Sequence, residues 1–203
     1  MPLLERRETP HGFIAVWETT ETTEVLRNAL VLSPEETLYF RELSGEKRRK
    51  EWLAWHGMIR HFLGEGITAG YHLTGAPRLL NHSGHISVSH SAPYVTLYYS
   101  PHTPCGIDIE DMRRDFSRVA RRTVSDAEEV FREQLPEGLF LPLSWCVKEA
   151  AYKYAGIPGL DFQRDIRITD ITHDEHIRVR LREREEIRIG YFLLHHYCLA
   201  YTL

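Results

Sequence analysis

Gly106-Ile107-Asp108-Ile109-Glu110 is the stretch on which the reading of this chain turns. It reads as a short strand, and alternate side chains of a strand face opposite ways. Ile107 and Ile109 are expected to enter the core together. Asp108 and Glu110 then emerge on the other face, about 7 Å apart at the backbone by strand rise. Carboxylates that close repel each other unless something positive sits between them. Magnesium is a natural occupant, because it takes one or two carboxylates together with substrate phosphates. The plain alternative is the solvated face of an amphipathic edge strand.

A second stretch, Trp145-Cys-Val-Lys-Glu-Ala-Ala-Tyr-Lys153, reads as part of a helix over Leu143–Ala155, ended by Gly156 and Pro158. Glu149 and Lys153 are four apart and share a face. They are either an exposed pair worth a few tenths of a kcal/mol, or a metal ligand and a phosphate grip. Lys148 projects about 100° away from Glu149 around the helix and need not share their role. Neither stretch decides the matter alone. Together they supply a carboxylate pair and a Glu/Lys face, the groups that phosphate chemistry needs.

The rest of the chain sets the frame. Its 203 residues are 42% hydrophobic, enough for one large domain or two small packed halves. A net charge of −4 does not suggest a nucleic-acid binder. Cys105, Cys146 and Cys198 are widely spaced, with no CxxC pair, which favours a reducing compartment. MPLLERRETP carries charges where a signal peptide needs an apolar run, and no apolar stretch approaches the roughly 20 residues of a membrane span. A cytoplasmic protein without membrane contact is expected. Only four of the 25 basic residues are lysine: Lys47, Lys50, Lys148 and Lys153.

Strands are expected at Gly12–Trp17, Ile86–His90 and Tyr94–Tyr99, and helices at Thr22–Leu32, from Ser33 and from Gly45 to Gly64. Ser33-Pro34-Glu35-Glu36 and Ser125-Asp-Ala-Glu128 both read as capped helix starts. Pro101-His-Thr-Pro104 is the candidate linker, and a strand-rich tail runs from Ile166 to the last residue. Domains at 1–103 and 104–203 follow. Each half leads from helices to a closing hydrophobic strand, Tyr94–Tyr99 and Tyr197–Tyr201, which suggests a duplication.

GIDIE followed some 35 residues later by W-x-x-KEA-x-x-K resembles the 4′-phosphopantetheinyl transferase superfamily. Length, two-half layout and Ser87-Val-Ser-His-Ser91 resemble its surfactin-synthetase-activating (Sfp-type) branch, from about Leu43 onwards. The resemblance implies an α+β fold of two similar halves in pseudo-two-fold arrangement, with the active site in the cleft between them. It implies transfer of 4′-phosphopantetheine from coenzyme A to a serine of an apo acyl or peptidyl carrier protein, with Mg²⁺, releasing adenosine 3′,5′-bisphosphate. By position, Asp108, Glu110 and Glu149 would hold Mg²⁺. Glu149 would also serve as base for the carrier serine, and Lys153 would contact the phosphate under attack. Ser89 and His90 would bind coenzyme A phosphates, as would Lys47 and Lys50 at a helix start where the dipole disfavours cations. Arg60 lies further along that helix. Such a chain can act as a monomer.

Some readings stay open. His90 follows Ile86 and Val88 on one strand face and also reads as a half-buried structural histidine, and Lys47–Lys50 also reads as a solvated face. The family turn Gly-Lys-Pro is here Gly75-Ala76-Pro77, with Arg78 as the candidate replacement, and Cys146 stands where Ser or Thr is usual. Arg113, Arg114, Arg118, Arg121 and Arg122 form either a docking face for an acidic carrier or a solvated helix face. His82-x-x-His85 and His173-x-x-His176 have zinc-ligand spacing but no cysteine partners. The competing functions are a non-catalytic coenzyme A or carrier-binding protein and another Mg²⁺-dependent phosphoryl enzyme, though no G-x-x-x-x-G-K-[ST] sequence is present.

Overall fold

The structure, a computed structural model, describes residues 3–172, 176–182 and 185–203. The chain divides into two compact units, Met1–Thr103 and Pro104–Leu203.

The first unit begins with β1 (Leu3–Thr9) and β2 (Gly12–Glu18), then three helices, α1 (Thr23–Asn28), α2 (Pro34–Glu42) and α3 (Glu46–Leu63). A small hairpin, β3 (Ala69–Tyr71) and β4 (Pro77–Leu79), precedes β5 (His85–Ser91) and β6 (Tyr94–Ser100). The main sheet has the order β1-β2-β6-β5 and is antiparallel throughout. Trp17, Val95 and Leu97 of the sheet pack with Leu53, Met58 and Ile59 of α3. β1 was not expected. Its charged sequence LLERRET alternates between exposed and half-buried positions, the pattern of an amphipathic edge strand. The helix expected over Thr22–Leu32 is shorter, Thr23–Asn28, with Thr22 as its N-cap.

The second unit runs β7 (Ile107–Asp111), α4 (Ser117–Thr123), a 3-10 helix η1 (Asp126–Gln134) and α5 (Phe140–Ala155). Four strands follow: β8 (Ile166–Ile171), β9 (His176–Leu181), β10 (Glu185–Leu194) and β11 (Tyr197–Thr202). The sheet order is β7-β11-β10-β9-β8, again antiparallel. α5 lies on this sheet through Leu143, Cys146, Val147, Ala150 and Ala151, which meet Ile168, Val179 and Ile189. Burying a side chain the size of Leu143 stabilises by about 1.5–3 kcal/mol. The small Ala150 matters for a different reason. A Cβ on Gly106 would lie 2.0 Å from the Ala150 carbonyl oxygen and 2.8 Å from the Tyr154 nitrogen. Helix backbone therefore rests directly on the start of β7. α5 stops at Gly156, whose φ of 61° is the left-handed C-cap conformation.

Both units are mixed helix and sheet, and two features recur in them. The strand order β2-β6-β5 of the first matches β7-β11-β10 of the second. Each also contains one buried glutamate at the third position of a helix-capping box. Glu36 accepts from the Ser33 backbone N–H (2.8 Å), from Arg60 on the long helix α3 (2.6 Å) and from the Ala69 N–H at β3 (3.1 Å). Glu128 accepts from the Ser125 N–H (2.7 Å), from Lys148 on the long helix α5 (2.9 Å) and from the Ile168 N–H of β8 (2.7 Å). In each case one carboxylate ties a helix start, a long helix and a strand together. A buried carboxylate persists only when its lone pairs are satisfied in this way.

Candidate active site

Strand alternation places Asp108 and Glu110 on one face of β7, as expected, but that face is covered. Their register partners on β11 are Ala200 and Cys198, which belong to the core beneath α5. Asp108 is 4% exposed. The solvated-edge reading is therefore excluded. Ile107 and Ile109, whose partners are Tyr201 and Leu199, are buried together on the opposite face, as expected.

α5 brings three side chains to this acidic face. Lys153 Nζ donates to Asp108 Oδ1 at 2.8 Å and to the Ile107 carbonyl at 2.9 Å. Trp145 Nε1 donates to Glu110 Oε1 at 2.8 Å, and its ring stacks on Phe162. Glu110 Oε2 is also bound by Arg114. Glu149, one turn before Lys153, is half-buried. Its pKa is pushed up to about 7, first by burial and next by the Asp108 charge; Lys153 opposes the shift and Glu110 adds to it. Glu110 is raised by burial and by Asp108, against Trp145 and Arg114. Three carboxylates thus share one electrostatic environment with a single lysine on α5.

Those pKa shifts test the fit of a hard cation. All the donors are carboxylate oxygens, the type magnesium prefers, and repulsion among them is what a divalent cation would relieve. Among the described residues, however, no three His, Cys, Asp or Glu side chains converge at ligand distances. Asp108 is turned to Lys153, and Glu110 to Trp145 and Arg114. The donor chemistry fits; Asp108 and Glu110 are held in ion pairs.

Lys148 and Glu149, which need not share a role by helical geometry, have different surroundings. Lys148 is fully buried and donates to Glu128, to the Thr123 carbonyl (2.6 Å) and to the Phe162 carbonyl (2.7 Å). It is a structural cation. The sequence signal was the Ser125–Glu128 capping box, read only as a helix start. Cys146 is buried, donates weakly to the Cys198 carbonyl and has its thiol pKa raised by burial, so it is a packing residue.

In the first unit the candidate phosphate-binding residues fall into two places. Lys47 and His90 both approach Glu51: Lys47 Nζ is 3.8 Å and His90 Nδ1 3.4 Å from Glu51 Oε1. The side chain of His90 is 50% exposed, which leaves it open to solvent while its Nδ1 faces Glu51. Lys50 is half-buried on the first turns of α3, whose N-cap Gly45 offers no capping side chain. Ser89 is buried one residue before His90. Sequence reading missed Glu51, which joins α3 to the end of β5. Arg60 is elsewhere. Its guanidinium is buried against Glu36, and its Nε and Nη1 have no hydrogen-bond partner. Arg78 is exposed on β4 opposite Gly70.

Of the arginines after Glu110, Arg113 pairs with Asp111 (2.7 Å) and Arg114 with Glu110. Arg118, Arg121 and Arg122 are exposed on α4. His82 accepts from the Gly84 N–H through Nδ1; His173 lies outside the described residues. Among the described residues no helix is long and apolar enough to cross a membrane.

Residues 104–202, almost the whole second unit, match the sequence model of the 4′-phosphopantetheinyl transferase superfamily. No curated protein matches the chain. The match supports phosphopantetheine transfer as the general chemistry, and it covers Asp108, Glu110, Trp145, Glu149 and Lys153.

Proposed function

We propose that this protein transfers 4′-phosphopantetheine from coenzyme A to a serine of an apo acyl or peptidyl carrier protein. The observation that carries the reading is the meeting of Asp108, Glu110, Glu149 and Lys153 on the α5-covered face of β7, within the part of the chain that matches the superfamily. Asp108, Glu110 and Glu149 would hold Mg²⁺, which when bound neutralises the pyrophosphate of coenzyme A.

The remaining roles fall to the chain itself. Glu149, with a pKa near neutrality, is suited to take the serine proton, directly or through water. The serine oxygen then bonds to the pantetheine-bearing phosphorus as the bond to the bridging oxygen breaks, and adenosine 3′,5′-bisphosphate leaves. Lys153 would release Asp108 to contact that phosphate. Lys47, Lys50, Ser89 and His90 are assigned to the other phosphates of coenzyme A; Arg60 is left out because its charge is spent on Glu36 inside the first unit. Arg118, Arg121 and Arg122, close in sequence after the site strand, are assigned to the acidic carrier. On this reading the halves stem from one duplicated pattern, as in the surfactin-synthetase-activating branch, and the protein works as a cytoplasmic monomer.

The test is direct. Wild-type protein is incubated with coenzyme A, Mg²⁺ and a panel of apo carrier proteins, and each carrier is weighed by mass spectrometry. A gain of one phosphopantetheine that is lost in Glu149→Gln supports the transferase. Coenzyme A binding with no gain on any carrier would instead favour a non-catalytic binding protein.

A further inference from the structure

The sheet of the second unit presents a surface that the transfer chemistry does not use. Ile168, Val179 and Ile189 turn towards α5. Alternation puts Arg167, Arg178, Arg180 and Arg188 on the opposite face, and all four are exposed. Their register is unusual. Arg167 on β8 is directly opposite Arg180 on β9, and Arg178 on β9 directly opposite Arg188 on β10. Like charges directly opposite across an antiparallel pair destabilise it, so both pairs work against the sheet that carries them.

Each row of three has one acid, placed at one end. Glu186 faces Arg180, and Asp170 faces Arg178, with 3.8 Å between Arg178 Nε and Asp170 Oδ2. Arg167 and Arg188, at the other ends, form no ion pair with any described residue. The four arginines form a staggered array over three strands, Arg167 beside Arg180 in one row and Arg178 beside Arg188 in the next, about 5 Å apart across the strands within a row and about 7 Å between the rows along β9, on a chain whose net charge is −4.

The array favours one class of partner. Single-stranded nucleic acid is held on stacking aromatic rings, and none is exposed among these arginines in the described residues. A membrane surface is held by apolar side chains beside the cations, and here the apolar ones turn inward. An extended acidic polypeptide presents carboxylates on one face every second residue, about 7 Å apart, and each can take an arginine bidentately.

We propose that the exposed face of β8–β10 binds an acidic polypeptide segment through Arg167, Arg178, Arg180 and Arg188. This does not rest on the transferase reading, because Asp108 and Glu110 lie on the other face of the same sheet.

The experiment uses the whole chain and a fluorescently labelled oligo-glutamate peptide, with anisotropy measured at low and high salt. Binding that falls with salt is expected, weakened about tenfold or more in Arg167→Glu/Arg188→Glu, which removes two charge contacts. That variant turns two like-charge pairs into opposite-charge pairs, so its thermal midpoint should hold or rise. Asp170→Asn/Glu186→Gln should bind the peptide more tightly. No peptide binding by the wild type, or unchanged affinity in both variants, overturns the proposal. Tighter binding of a single-stranded oligonucleotide or of phosphatidylserine vesicles, lost in the arginine variant, overturns the choice of a polypeptide.

Discussion

Lys148 Nζ lies 2.7 Å from Glu128 Oε1, and neither side chain is more than 2% exposed. A buried ion pair adds little over well-packed apolar residues, but removing one partner strands the other charge. Lys148→Met alone is therefore expected to cost about 3–5 kcal/mol in urea unfolding. Lys148→Met/Glu128→Gln should recover part of that loss. Equal stability of the single and double variants would show that the carboxylate is not what the lysine serves.

Gly106→Ala should be destabilising by about 1–3 kcal/mol or more, the cost of overpacking. The added methyl meets backbone at 2.0 Å, so α5 itself must move. Since α5 carries Glu149 and Lys153, the variant should also lose coenzyme A-dependent activity beyond what its folded fraction explains. Activity that scales only with folded fraction would separate the packing from the site.

Acid should weaken the first unit through His56. Its ring is buried between Trp52 and Trp55, and its Nδ1–H donates to the Trp52 carbonyl. Burial lowers its pKa from 6.5 to about 3. The unfolded chain thus takes up a proton below pH 6.5 that the folded chain refuses until about pH 3. The contribution is intact above pH 6.5 and declines by up to about 1.4 kcal/mol per pH unit below it. Stability measured against pH should fall less steeply between pH 6 and 4 in His56→Phe than in the wild type.

Magnesium with coenzyme A should raise the thermal midpoint of the wild type, and chelation should reverse the rise. Asp108→Asn and Glu149→Gln should each abolish it. Without metal, Glu149→Gln should be at least as stable as the wild type at pH 8, because it removes one of three repelling charges. An undiminished magnesium shift in both variants would place the metal elsewhere.

Much of this was legible in the sequence, because local chemistry and tertiary role agreed there. Ser33 and Ser125 cap as read, Gly64 and Gly156 end their helices, and Asp108 and Glu110 share a face because side chains in a strand alternate. What was not legible depended on long-range contact. Whether the acidic face of β7 was wet or covered turned on where α5 lay. Arg60 looked like a free cation on a helix, and only its closure onto Glu36, 24 residues earlier, shows otherwise. β1 was missed because the pairing that makes it a strand lies in β2.

The contact between Gly106 and Ala150 has a consequence for how this protein can change over time. Side chains usually act as shims between elements, and substitution adjusts their thickness. At Gly106 the chain entering β7 meets helix backbone directly, so no such adjustment exists at that point. The distance from Asp108 to Glu149 is then a fixed gauge, inherited with the main-chain path. Variation among descendants of this gene would be channelled outward, to α4 and the turns around the site, while the gauge stays the same.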